Sequence, residues 1–254
     1  MSQFVSLGEA AESSIHYQQA YWQPGFSAGG RYVSPAWSGQ VDAGKDLGIG
    51  STQGVLRKLT IDVSPRLSVS VAGFEGTFAG QAMRKERKYF LGGLISREVT
   101  HRATENINLQ YKSADLYFLR NVRKEEGTNT AWILGVRRVS ATGSAVLRSK
   151  IPESSEVVSD YAFSWAGWAP VVGVHWEEKK KHVTWSATAA GLSTGTSGLT
   201  FVDVDIQAAF CKQKNSSLVV GYRGLFYRDR RTLEKTQIAS VDIKGPYWGL
   251  MFYF

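Results

Sequence analysis

The stretch FVDVDIQAAFCKQKNSSLVVGYRGLFYR, residues 201–228, decides the fold. Val202, Val204, Ile206, Ala208 and Phe210 fall on one face of its first half, and Asp203, Asp205, Gln207 and Cys211 on the other. After the polar turn KQKNS, Leu218, Val220, Tyr222, Gly224 and Phe226 alternate with Arg223 and Tyr227. A period of two is the mark of a strand whose two faces meet different surroundings. Centring the hairpin on Lys214 places Asp205 directly opposite Arg223.

The same alternation runs outward along the chain. GVLRKLTIDV (54–63) and RLSVSVAGFEGTF (66–78) flank a Ser64-Pro65 turn, predicting that Leu59, Ile61 and Val63 pair with Val71, Val69 and Leu67. The next segment alternates Ile107, Leu109, Tyr111 and then Ala114, Leu116, Phe118, a phase shift near Ser113 of the kind a β-bulge makes. AWILGVRRV opens a strand near Ala131. YAFSWAGWAPVVGVHW (161–176) is another, with a phase change near Gly167, followed by VTWSATA (183–189) and VDIKGPYWGLMFYF (241–254). With a first strand somewhere in 14–32, the total is about ten, with eight or twelve as the alternatives. There is no helix, linker or repeat. The expectation is an all-β chain: a segment 1–13 and one antiparallel barrel domain over 14–254.

Composition removes several classes. A single cysteine, Cys211, excludes an intramolecular disulfide framework and Cys-rich zinc patterns. The most apolar run, Trp165–Val174, is short and holds Pro170, so no membrane helix is expected. MSQFVSLGEAAESS lacks the basic and apolar regions of a signal peptide, as expected either of a protein that stays inside or of a mature form with an initiator Met added. The net charge of +8 is carried by clusters at RKERK (84–88), RSK (148–150), KKK (179–181) and RDRR (228–231), set among turn signals. Solvated loops account for these clusters, and no nucleic-acid-binding signature accompanies them.

Alternation alone does not say which face meets water, but two patterns favour a membrane barrel. The joins near 64–66, 122–129, 177–182 and 212–216 are short and polar. Those near 33–53, 80–104, 149–160 and 228–236 are mostly longer, Gly-rich or basic, and such segregation belongs to outer-membrane barrels. Aromatics also collect at strand ends: Trp132, Trp176 and Trp185 by the short turns, and Tyr161, Phe163, Trp165, Phe226 and Tyr227 towards the long loops. With the apolar face turned to lipid, Lys58, Asp62, Lys112, Asp203, Asp205, Gln207 and Arg223 line the lumen, as do Thr60, Asn108 and Gln110. In a barrel this narrow such charges pair and largely fill the interior.

The C-terminus carries the most specific resemblance. Trp248, Leu250, Phe252 and Phe254 lie in phase at the end of the chain, similar to the terminal strand by which the barrel-assembly machinery recognises bacterial outer-membrane β-barrel proteins. Gly249, Phe252 and Phe254 also meet the looser signal of mitochondrial barrels. YWQPGFSAGG…SGQVDAGKDLGIG, within residues 21–50, resembles the opening of uncharacterised proteobacterial outer-membrane barrels. The resemblance implies a transmembrane barrel in a bacterial outer membrane with periplasmic termini, and it brings no assigned chemistry and no cofactor. Arg84, Lys85, Arg230 and Arg231 would then sit in outward loops, able to grip lipopolysaccharide phosphates or a surface partner.

No catalytic constellation emerges. His16, His101, His175 and His182 show no His-x-Ser spacing of the lipid-hydrolysing barrels, and no His lies level with Asp203 and Asp205 as omptin-type proteolysis requires. HWEE is not a zinc-binding HExxH. The expectation is a non-enzymatic barrel, a narrow solute passage or a structural or surface-interaction protein. The alternatives are a rim hydrolase acting on lipid or peptide, and a soluble β-barrel holding a small apolar ligand.

Overall fold

A computed structural model describes residues 14–34, 37–42, 48–50, 53–92, 95–125, 127–150, 157–193, 199–213, 215–229 and 236–254. All the described regular structure is strand: β1 (Ile15–Trp22), β2 (Gly25–Ser34), β3 (Trp37–Asp42), β4 (Gly54–Ser64), β5 (Leu67–Gly92), β6 (Ile95–Glu125), β7 (Thr128–Lys150), β8 (Val157–Lys179), β9 (Val183–Ser193), β10 (Leu199–Gln213), β11 (Ser216–Asp229) and β12 (Thr236–Tyr253). Each strand from β4 to β12 pairs antiparallel with the next. β12 closes the circle by pairing with β1 over Tyr247–Tyr253 and with β2 over Thr236–Lys244. β1 and β2 are thus one wall strand interrupted at Gln23-Pro24, where proline has no N–H to give the ladder. β3 and β4 divide the second wall strand in the same way, pairing with β2 and β1 respectively. The result is a closed antiparallel barrel of ten wall strands.

Registers follow the sequence pattern closely, with three corrections. Leu59 pairs with Val71 and Ile61 with Val69, but an irregularity after Asp62 puts Ser64 rather than Val63 opposite Leu67. Pairing on both sides of Ser113 and of Gly167 is unbroken, so neither phase change is a bulge. What changes at Ser113 is the polarity of the two faces, not the backbone. The loop expected over 80–104 is largely strand, and so are the described ends of the one over 149–160: β5 pairs with β6 up to Gly92–Ile95, and β7 with β8 up to Ser149–Val157.

β5 and β6 have 26 and 31 residues, against the roughly 9–11 that cross a bilayer. They therefore rise far beyond one end of a membrane-height barrel, while the opposite end is trimmed to short turns. On the outer surface a belt of apolar side chains encircles the short-turn half. It includes Trp132, Leu134, Val172 and Val174, with Leu134 63 % exposed. Along β8 the belt runs from Trp176 to Trp168, about 20 Å high for strands tilted by roughly 40°. An exterior this apolar is the inverse of a soluble ligand-carrying barrel, and it overturns that alternative.

Candidate functional site

The lumen is built in three layers, stacked from the short-turn end upward. The middle layer is an ionic knot. Asp115 and Arg137 face each other across β6 and β7, and the guanidinium grips the carboxylate in two places, 2.6 and 2.9 Å. Arg137 also donates to the Tyr117 hydroxyl at 2.7 Å and to Asp203. Asp203 takes two further bonds from Arg223, 3.1 and 2.7 Å, and Arg223 lies 3.6 Å from Asp115. Two buried cations are thereby balanced by two buried anions, and the Arg137 side chain is 0 % exposed. Bidentate Arg–carboxylate pairing is the arrangement that makes such burial tolerable.

Above the knot the interior becomes aromatic. The Phe201 ring covers the Arg137 guanidinium, 5.1 Å from ring centre to Cζ, and stacks on Tyr227 at 6.0 Å. Tyr227 and Tyr111 share a 2.5 Å hydrogen bond. Phe74 packs against Tyr111 and edge-on against Trp22, whose indole N–H donates to the Gly245 carbonyl at 2.9 Å. The Phe74 ring covers Gly54 and Gly76: a Cβ on either would come within 2.4 and 2.7 Å of it. Phe78 and Phe26 complete the layer, and Phe78 is fully buried.

Below the knot is a polar cavity of about 400 Å³ at the short-turn end, among whose walls are Ser14, His16, Gln18, Lys58, Asp62, His175 and Gln207. Asp205 sits between knot and cavity. It is opposite Arg223 in register, but its carboxylate accepts from the Tyr247 hydroxyl at 2.7 Å, and Arg223 turns diagonally to Asp203. Gln207 Oε1 lies 3.0 Å from the same hydroxyl. On the cavity rim Ser14 donates to Asp62 at 2.5 Å and lies 2.9 Å from His16 Nε2, while Ser68 donates to Asp62 at 2.7 Å. Opposite them an apolar wedge of Leu119, Ala131, Ile133 and Val171 narrows the interior.

The same barrel fold is found in known structures. The outer-membrane protease OmpT of Escherichia coli superposes with a TM-score of 0.57 at 11 % identity, covering 95 % of this chain and 97 % of that one. The translocator domain of the autotransporter NalP of Neisseria meningitidis gives 0.50 at 10 % identity, over 94 % and 88 %. The fold is that of a bacterial outer-membrane β-barrel. No protein-family model matches the chain, and no curated protein sequence matches it.

Within that barrel the residues singled out from sequence separate into groups. Lys58, Asp62, Asp203, Asp205, Gln207 and Arg223 face the lumen. Lys112 does not: with no bulge at Ser113, it stands on the outer surface, 2.9 Å from Glu75 and half exposed. Gln110, bonded to Glu75 at 3.0 Å, goes with it, and so does exposed Asn108. Trp248, Leu250 and Phe254 present exposed apolar surface on the outer face at the short-turn end, and Phe252 pairs with Tyr17 and Ser216. Arg84 and Lys85 are not in a loop but in β5, opposite Ala103 and Arg102. Their side chains lie outside the described residues, as do Arg230 and Arg231 and the segment 1–13.

Sequence reading missed Asp115 and Arg137, half of the knot, and the Tyr117 hydroxyl bonded to it. The signal was present: a β6–β7 hairpin turning near residue 126 sets Asp115 against Arg137, an acid and a base at one level. The apparent bulge concealed it. As for chemistry, Ser14, His16 and Asp62 form a Ser–His–Asp cluster in composition only. Serine and carboxylate both address the same ring nitrogen, with His16 Nε2 3.5 Å from Asp62. A hydrolytic triad needs the acid on the opposite nitrogen. His175 bonds Thr188 at 2.9 Å in the lower lumen, not in an outward cleft.

Proposed function

We propose that this chain is a closed, non-catalytic barrel of the bacterial outer membrane, a rigid lumen-filled scaffold that holds the long β5–β8 ribbons beyond the outer surface. The short-turn end and both termini then face the periplasm. The observation that carries the reading is the fully buried Arg137, clamped by Asp115 and Asp203 beneath a layer of aromatic rings. A solute would have to dismantle two coupled ion pairs and then part those rings, so the structural and surface-interaction role is favoured over a solute passage.

The rim-hydrolase alternative shares its architecture with OmpT, whose name makes it a protease. Among the described residues, however, the His–carboxylate pair His16–Asp62 lies at the short-turn end, opposite the outer rim. Anionic outer-leaflet lipid remains the partner that the exterior chemistry suits. Just above the apolar belt, exposed Arg57, Lys112 and Arg138 border an outer groove floored by Gly73 and Ala114, against the single acid Glu75. Lipid phosphates lie at that level, and guanidinium groups bind them in bidentate fashion.

Planar-bilayer recording of the purified barrel tests the reading. It predicts no sustained unitary current in the wild type and the appearance of current when Arg137 and Asp203 are both replaced by alanine. A steady open conductance in the wild type would overturn it.

A further inference from the structure

We propose that the cavity at the short-turn end binds a small α-hydroxy or α-amino carboxylate, whose carboxylate meets the Lys58 ammonium and whose α-substituent donates to Gln18. Its volume, about 400 Å³, lies within the range of small-molecule sites, roughly 300–1,000 Å³. The knot seals it from above, so its ligand enters and leaves by the same mouth, among the turn residues Ser64, Pro65 and Gly127.

Two groups on one wall of this cavity lack partners. Among the described residues, no side chain or carbonyl comes within hydrogen-bond or ion-pair reach of the Lys58 ammonium. The acids nearby are each engaged: Asp62 with Ser14 and Ser68, Asp205 with Tyr247, Glu177 with Lys179 at 3.2 Å. Gln18 Oε1 is buried and receives no hydrogen bond. A buried acceptor without a donor costs free energy, so its persistence points to a group that completes it.

Register sets the chemistry of that group. Gln18 and Lys58 are direct cross-strand partners on β1 and β4, and both face inward. Their side chains therefore leave the wall about 5 Å apart. A ligand that satisfies both must carry an anion for the lysine and, close by on the same small molecule, a hydrogen-bond donor for the glutamine. An α-hydroxy or α-amino acid carries both, whereas a plain dicarboxylate offers Gln18 only acceptors. His16, two residues from Gln18 on β1, and Gln207, from β10, also line the cavity and can meet the rest of such a molecule.

Isothermal titration of the intact barrel in lipid nanodiscs tests the proposal, with L-malate and L-glutamate as ligands and succinate as the donor-free control. Malate and glutamate should bind at least tenfold more tightly than succinate. Lys58→Met should abolish binding of all three, and Gln18→Leu should remove the preference for malate while sparing weak succinate binding. Retained heat-shifted gel mobility shows that each variant still folds, and the wild-type ligand series stands even where one does not. No heat with any ligand, equal affinity for malate and succinate, or unchanged malate binding in folded Lys58→Met would overturn the proposal. Bilayer conductance is a separate readout, so failure here leaves the closed-scaffold reading standing or falling by itself.

Discussion

The short-turn half of the barrel and the half above it are built on opposite rules. In the lower half the outer face is apolar, Leu134, Val136, Phe118 and Val174 among it, and much of the inner face is polar, from Gln18 and Lys58 to Asp205 and Gln207. In the upper half the outer face carries Arg57, Glu75, Lys112 and Arg138, while Phe74, Phe78, Trp22 and Tyr111 pack inside like the core of a soluble protein. The backbone passes through the exchange without a bulge. One register thus serves two solvents, lipid below and water above, and the knot of Arg137, Asp115, Asp203 and Arg223 sits where the interior changes from polar to aromatic.

The sharpest way to break this arrangement is at the junction. Arg137→Ala leaves Asp115 and Asp203 buried without their shared cation, and should cost about 3–5 kcal/mol of unfolding free energy, read by urea titration in lipid vesicles. A smaller effect separates the two exteriors. Leu134→Arg puts a charge against lipid and should cost roughly 2–4 kcal/mol. Gln110→Arg, on an outer face above the belt, should stay within about 0.5 kcal/mol of wild type in the same titration. Gly54→Ala sharpens the interior side of the comparison: its new methyl meets the Phe74 ring, and the overpacking should cost about 1–3 kcal/mol, with a changed near-ultraviolet dichroism of the aromatic layer. A small effect also belongs to Lys112→Ala, which removes an exposed ion pair worth about 0.2–1 kcal/mol and fading in high salt.

That pair also has a pH signature. The Lys112 ammonium beside Glu75 holds its carboxyl below the ordinary glutamate range. A lowered folded-state value means the contribution is present above the ordinary value and is lost as pH falls through the lowered one. The difference between wild type and Lys112→Ala should therefore vanish in acid, and a difference that grew in acid would be the wrong sign.

How legible the molecule was in its sequence follows the same division. Strands in the lower half announce themselves, because lipid on one side and a polar lumen on the other impose a clean period of two; the 201–228 hairpin, with Asp205 opposite Arg223, is of this kind. Above the belt the two faces exchange polarity, and dense runs of charge interrupt the alternation. RKERK and RSK consequently read as loops although they lie in β5 and β7. At the boundary the polarity exchange mimics a bulge, which put Lys112 in the lumen and hid Asp115. The split of the first two wall strands and the β3 segment gave no periodic signal at all, and the pairing of Arg223 with Asp203 depends on side-chain direction that register does not contain.

The exchange of faces is tested most directly by spin labels placed along β7 of the barrel in lipid vesicles, in a Cys211→Ser background. Labels at Leu134 and Val136 should be accessible to oxygen and shielded from a water-soluble nickel chelate, with the preference reversed at Ser140 and Thr142 on the same outer face. Chelate access at Leu134 and Val136 equal to that at Thr142 would contradict a lipid-facing lower half, and with it the account of the barrel given above.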